Sequence, residues 1–413
     1  MLRPDLATSP PATYTPAVPS RTAIIAVVVF VASLGGTIAS GRLEGDYRID
    51  EVHKISETFF LRLVEQGDFH SPAWMESPVE RANPQVGKLL FGLAIQSAGQ
   101  PLPPDLRVAS LTQSGRREPP PEWDAQYRRW LRPARLVSAL ATAGTVTLVF
   151  LAGSSATGVA GGLICALLYS FNFLVTTFAA TAVFDPLLTF FVLLAGVLSL
   201  IVEDERTAGI SASLAAALAF NVRITGLVAI GACVLIFLIQ RRFRAVALAA
   251  IVFPIAALAL NPYYWVRGSE PDSLLGRIVS RGFTQQRDLR MLLQREVAAQ
   301  GALDTIGKKS SFFFQNALGD WNGIAILVGI LCLIAALVVA RRRSRQAIAV
   351  GVWSAAIALV IALWIPIAFP RYLLVAVPSL ALLGGLGWGF AAMGIAEVIT
   401  NVSTSPRANP KGR

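Results

Sequence analysis

The sequence predicts an all-helical, polytopic membrane protein. Apolar runs long enough to cross about 30 Å of hydrocarbon recur along most of the 413 residues. Hydrophobic side chains make up 54% of the chain and charged ones only 15%, a balance unsuited to one soluble domain. The runs come as helix-length blocks rather than alternating ten-residue strands, which favours a helical bundle over an outer-membrane barrel.

Residues 1–21 are rich in Pro, Ser and Thr and lack an apolar period, as in a disordered cytoplasmic tail. The first span is read at 22–40 and is expected to remain as an anchor; the small residues around Ala39 make signal-peptide cleavage the rival reading. A polar loop over 41–133 follows. Within it, Ile55, Phe59, Phe60, Leu63 and Val64 recur at helical spacing, which predicts an amphipathic juxtamembrane helix lying in the interface. The stretch 86–98 is apolar but too short to cross alone, and 101–121 is proline-rich and irregular. Further spans are expected at 134–152, 158–178, 186–202, 207–222, 224–240, 245–261, 323–340, 347–367 and 372–397. With the first they make about ten, so that 22–398 reads as one transmembrane domain with a second outer loop at 262–322 and a basic tail at 399–413.

The formal net charge of +11 is concentrated between spans. Arg241, Arg242 and Arg244 form one cluster, Arg341, Arg342, Arg343 and Arg345 another, and Arg407, Lys411 and Arg413 a third. Such placement signals topology rather than nucleic-acid binding. With the amino terminus inside, all three clusters and both termini fall on the cytoplasmic side. The two long loops and the turns bearing Asp185, Arg223 and Arg371 then fall outside. The expectation is a multi-pass protein of the cell (inner) membrane with one extracytoplasmic site. Cys165, Cys233 and Cys332 lie in apolar runs and read as packing residues, without disulfide or zinc spacing.

The candidate site residues share that outer face. Asp50 and Glu51 open the first loop. A carboxylate there suits removal of a proton from an acceptor hydroxyl; the alternative is a helix cap or a solvated acid. Lys88 ends the motif Asn83-Pro84-Gln85-Val86-Gly87-Lys88, where an ammonium suits a phosphate near the headgroups and snorkelling is the rival reading. Asp185, followed by Pro186, fits either a helix cap or a group that orients a donor sugar. Arg223 and Arg371 sit beside apolar spans, where charge is costly and functional roles are common; interfacial arginines reaching headgroups are the alternative. Asn261-Pro262-Tyr263-Tyr264-Trp265 and Phe312-Phe313-Phe314 read as interfacial aromatic belts or as walls of an acceptor groove. His53, His70 and Asp68 share the first loop, where a divalent metal is an open alternative without tight ligand spacing to support it; no cofactor is certain. The chain carries no GxGxxG, Walker A, HExxH or GxSxG signature.

In order along the chain, RIDEVHK, VEQGDFHSPAW, NPQVGKLLFGLA, RPARLVSALATAGTVTLVFLAG, AVFDPLLTFFVLLAG, VRITGL, NPYYW and PRYLLVAVPSLALL resemble the polyprenol-phosphate-dependent glycosyltransferases of the GT-C type. The likeness is to the protein O-mannosyltransferases and the lipid A aminoarabinose transferases, and it spans most of 22–395. It implies a GT-C-like bundle that transfers a single sugar, mannose or a related hexose or pentose, from a polyprenyl-phosphate donor to a hydroxyl on a protein, lipid or glycan. It further implies Asp50 as the catalytic carboxylate with Glu51 in support, Lys88, Arg223 and Arg371 on the donor phosphate, and Asp185 at the sugar. The first-loop motif departs from the family's turn in having one proline instead of two. The loop 262–322 is too short for the large luminal module of the eukaryotic mannosyltransferases. A transporter or lipid flippase is the competing expectation; it would more often carry inverted repeats and broken midplane helices.

Overall fold

The computed structural model describes residues 20–45, 49–74, 84–104, 110–111, 117–118, 123–265, 273–299, 306–339, 345–364 and 370–404. Asn83, the expected leading tail before Ser20, the basic residues Arg341–Arg343 and the last basic cluster lie outside them.

Fifteen α-helices account for almost all of the described chain. They are α1 (Ser20–Ala39), α2 (Ile49–Ser56), α3 (Phe59–Glu65), α4 (Val86–Ser97), α5 (Asp124–Ser170), α6 (Phe173–Phe178), α7 (Asp185–Ile201) and α8 (Glu205–Val222). After these come α9 (Leu227–Gln240), α10 (Phe243–Ala259), α11 (Leu274–Ala299), α12 (Ile306–Ala317), α13 (Trp321–Val339), α14 (Arg345–Trp364) and α15 (Val377–Thr404). The one sheet among the described residues is a two-residue antiparallel ladder pairing Ser110 with Glu118 and Leu111 with Arg117.

Each expected span overlaps a helix among the described residues; 340 and 365–367 lie outside them. The second and third fall on the two arms of α5, whose 47 residues would measure about 70 Å if straight, more than twice a bilayer core. They do not run straight. Gly158, at φ 77° and ψ 177°, breaks the helix in a region that favours glycine. Gly162 then lies against the Phe150 carbonyl and Ser154, so the two arms run back along each other. By length and apolarity alone, α1, α5 and α15 each qualify as membrane-crossing, and α12 with α13 forms a further pair bent by 111°. The helices α7, α9, α10 and α14 are apolar but shorter.

The bundle closes through small residues. Helix α15 packs on α5 and α13, and α8 packs on α7 and α10. A Cβ placed on Gly387 would collide with the carbonyl of Gly329, so α13 and α15 meet backbone to backbone. Without a hydrophobic drive between helices in lipid, such close approach is what supplies packing energy. Ile24, Val27, Val28 and Val31 of α1 face outward, as suits contact with acyl chains.

The ends of the bundle differ. At one end Arg242 donates hydrogen bonds to the carbonyls of Ser199 (3.2 Å), Val202 (2.6 Å) and Glu203, and the Arg244 amide donates to Glu205 Oε2 at 3.2 Å. At the other end α2–α4 and α11 form a cap. The stretch expected to lie as one amphipathic helix in the interface is two helices, α2 and α3, with a turn at Glu57 and Thr58 between them. Their apolar sides face protein: Ile55 joins the main core, while Phe60 and Leu63 pack with Trp74. Tyr263 and Tyr264, expected as belt or groove residues, are buried, and the Tyr264 hydroxyl donates to Gln285 of α11 at 2.7 Å. Trp265 remains exposed and lies 6.2 Å, ring to ring, from Phe69.

Candidate active site

Helix α2 presents two carboxylates in its first turn, where acids are favoured by the helix dipole. Successive helical residues point about 100° apart, so the pair diverges. Glu51 turns inward and is fully buried. Arg135 of α5 grips it with two parallel bonds, Nε to Oε1 at 2.8 Å and Nη2 to Oε2 at 2.7 Å. The Ala182 amide donates to Oε1 at 2.7 Å. Arg135 also donates through Nη1 to the Gly45 carbonyl at 2.6 Å. One ion pair thus fixes the exit of α1, the start of α2, α5 and the turn before α7.

Asp50 points the other way. Its side chain is 51% exposed and ion-paired with Arg371 Nη1 from the short 3₁₀ segment Pro370–Val375. Arg371 Nε lies 3.8 Å from Asp185 Oδ2, and Asp185 Oδ1 accepts from Arg223 Nη1 at 2.7 Å. Asp50, Arg371, Asp185 and Arg223 therefore form one alternating chain of charge. The ring of Tyr372 carries both guanidiniums, 4.2 Å from the Arg223 centre and 5.2 Å from that of Arg371. Asp185 opens α7 ahead of Pro186, but Phe184 occupies the cap position and the Asp185 carboxylate serves the two arginines. Neither arginine is a headgroup snorkel: Arg371 and Arg223 are 11% and 18% exposed.

A second charged group lies on the same cap. Glu57 is fully buried; Lys54 Nζ lies 3.0 Å and His53 Nε2 2.7 Å from its Oε1. Burial raises the proton affinity of Glu57, but the charges of Lys54, His53 and Lys88 outweigh it and hold the carboxyl well below the usual carboxylate range. Lys88 is itself fully buried in the first turn of α4, with its ammonium 4.5 Å above the Phe60 ring. Burial rather than snorkelling is the state of this lysine. Gly87 explains how α4 gets so close: a Cβ there would lie 2.7 Å from Phe184 Cδ1. The other face of the local packing is Lys54, whose Nζ is 4.7 Å from the Phe184 ring. Phe184 adjoins Asp185 in the chain. The two charged groups are thus neighbours.

The structure brings Asp50, Asp185, Arg223 and Arg371 into one contact chain, while Lys88 lies over Phe60 on α4, whose Gly87 packs on Phe184. Glu51 stands behind, with both oxygens engaged. Sequence reading missed Lys54, Glu57, Arg135 and Tyr372. A signal existed for two of them: Lys54 lies four residues after Asp50, on the same helical face, and Glu57 follows His53 at the same interval. His53, His70 and Asp68 do not converge; His53 serves Glu57, and the His70 amide donates to Asp68 Oδ1 at 3.2 Å. Among the described residues no group of three or more His, Cys, Asp or Glu is placed to hold a metal ion.

Two crystal structures of ArnT from Cupriavidus metallidurans superpose on the chain. The one bound to undecaprenyl phosphate does so with a TM-score of 0.55 at 15% identity, and the apo state with 0.53 at 15% identity. The fold is GT-C. The alignments cover 94% of this chain but only 66% and 65% of ArnT, so the chain spans just under two thirds of that protein. No protein-family model and no curated protein matches the sequence.

Proposed function

We propose that this chain is a membrane glycosyltransferase that moves one sugar, mannose or a related hexose or pentose, from a polyprenyl-phosphate carrier to a hydroxyl acceptor on the extracytoplasmic side. The observation that carries the reading is the Asp50–Arg371–Asp185–Arg223 chain at one end of a GT-C bundle, with Lys54 and Glu57 following Asp50 on the same cap. ArnT, which shares the fold, is described bound to undecaprenyl phosphate. A lipid phosphate of that kind suits a cationic cluster at a membrane face. The charged groups gather at one end of the helices, whereas a transporter would be expected to hold them near the midplane.

In this reading Asp50, half-exposed at the rim, takes the proton of the acceptor hydroxyl as its oxygen bonds to the anomeric carbon. The bond from that carbon to the phosphate oxygen breaks, and its electron pair leaves with the polyprenyl phosphate. A single displacement of this kind inverts the anomeric centre. Lys88, Arg223 and Arg371 offset the charge gathering on the leaving phosphate, in a partly dry site where fixed cations act more strongly than in water. An incoming phosphate competes with Asp50 for Arg371 and leaves the carboxylate to the acceptor. Glu51 acts through position, since its clamp on Arg135 sets the angle at which α2 presents Asp50. Asp185 holds the two arginines and borders the sugar. The reading places ten spans in the inner membrane and both termini in the cytoplasm.

The test is transfer from radiolabelled polyprenyl-phosphate sugars by purified protein in lipid, with membrane extract as the source of acceptors. Wild type is expected to label a product, and Asp50→Asn to lower the rate by about 10²–10⁴-fold while inserting normally. Full activity in Asp50→Asn would remove the base. Absence of transfer from every donor by folded wild type would overturn the enzyme itself.

A further inference from the structure

We propose that Lys54 is a further cation for the carrier phosphate, and that Glu57 is the positioning residue that holds its ammonium one helical turn from Asp50. The inference rests on the glycosyltransferase reading and adds two residues to its site. Charge bookkeeping motivates it. In the chain Asp50–Arg371–Asp185–Arg223 each guanidinium is already engaged by a carboxylate before a ligand arrives. Around Glu57, the Lys54 ammonium at 3.0 Å and His53 Nε2 at 2.7 Å meet one carboxylate oxygen, with Lys88 a further basic group acting on it. Three basic side chains thus converge on one carboxylate on the lysine side, a local balance that suits an arriving phosphate.

Accessibility then separates the two lysines. Lys88 is completely enclosed, under Phe60 and near Glu57, whereas the Lys54 side chain keeps 15% of its surface open. Lys54 also stands one helical turn from Asp50 on the same face of α2, so one short helix offers both the base and a cation. That spacing suits a reaction in which the proton leaves on one side of the anomeric carbon and the phosphate on the other. Glu57 keeps the arrangement in register. It fixes the Lys54 ammonium at 3.0 Å, against the 4.7 Å approach of that ammonium to Phe184. Long lysine side chains lose much rotamer freedom when bound, and a buried carboxylate removes that cost before the ligand arrives.

The experiment measures two quantities on the full chain in lipid: equilibrium binding of sugar-free undecaprenyl phosphate, and the donor KM and kcat of transfer. Lys54→Gln is expected to weaken binding and raise the donor KM about tenfold or more, the size of one charge-assisted hydrogen bond. Lys54→Arg is expected to recover most of that loss. Glu57→Gln, in its folded fraction, is expected to raise KM in the same direction with kcat changed by less than about threefold. Unchanged binding and KM in Lys54→Gln, beside a wild type that binds and transfers, would overturn the proposal and leave the enzyme reading intact. A Glu57→Gln protein that loses only folded yield, with KM unchanged, would reduce Glu57 to a structural role and overturn its part. A wild type that binds no polyprenyl phosphate and transfers nothing would overturn both readings together.

Discussion

Asp50 and Glu51 are chemically near-identical neighbours with opposite fates. The helix turns one toward the rim and the other into protein, and the surroundings decide the rest. Glu51 is enclosed with Arg135 in a bidentate pair that also draws on the Ala182 amide. Breaking one side of such a pair leaves a buried charge without compensation, at a cost of about 3–5 kcal/mol. Glu51→Gln is therefore expected to destabilise the protein by that amount, read as a lowered midpoint of thermal unfolding in detergent. Removing both charges together, as Glu51→Gln with Arg135→Met, should cost less than the single change; a double variant worse than the single would argue against the pair. Asp50 stood out in the sequence as an acid at the mouth of a span, a place that a helix cap explains as well. Arg135 did not, because its partner lies 84 residues away and an arginine at the start of a span looks like an ordinary interfacial residue. Glu57 escaped for a related reason. The His53 spacing hints at a pairing, but nothing local announces that this acid is fully buried.

Helices were the most legible part of the chain, since an apolar run of span length has few alternatives to a helix in lipid. What the runs do not encode is how they meet. The break at Gly158 separates the two expected spans into two helices with no loop between them, through a single backbone conformation. The crossing of α13 and α15 depends on glycines whose importance shows only in three dimensions: a Cβ on Gly387 would strike the carbonyl of Gly329 and come within 2.7 Å of the Leu333 amide nitrogen. Overfilled contacts of this kind typically cost about 1–3 kcal/mol. Gly387→Val is accordingly expected to lower thermal stability and broaden the size-exclusion profile. Gly351→Ala on α14, where a Cβ meets nothing within 4 Å, serves as the control and should be neutral or slightly stabilising through better helix propensity. Equal behaviour of the two variants would show that the α13–α15 crossing is looser than its backbone contact implies. The cap was less legible than the spans. Its apolar spacing fits a helix lying in the interface as well as it fits α2 and α3 packed on protein, because periodicity reports a buried side without saying what buries it.

The two ends of the bundle have different chemistry, and that difference gives the molecule a direction. One end carries Arg242 and Arg244 among carbonyls and Glu205, with the acidic turn at Glu203. The other carries the cap and every candidate site residue. Retention of short basic clusters on the cytoplasmic side would then face the site outward, where a donor flipped across the bilayer would meet it. Orientation can be read without any enzymatic assay. In a background with the partly exposed Cys332 replaced by serine, Gln66→Cys places a thiol on the exposed end of α3 and Glu203→Cys places one on the opposite end. A membrane-impermeant maleimide is expected to label Gln66→Cys in intact spheroplasts and Glu203→Cys only after permeabilisation. The buried Cys165 and Cys233 should stay unlabelled in both. The reverse pattern would place Asp50 in the cytoplasm. A sugar donor made there would then need no flipping, and an extracytoplasmic acceptor would be excluded even if Asp50→Asn were inactive. Labelling and transfer thus test separate parts of the same reading, the first fixing where the site faces and the second what it does.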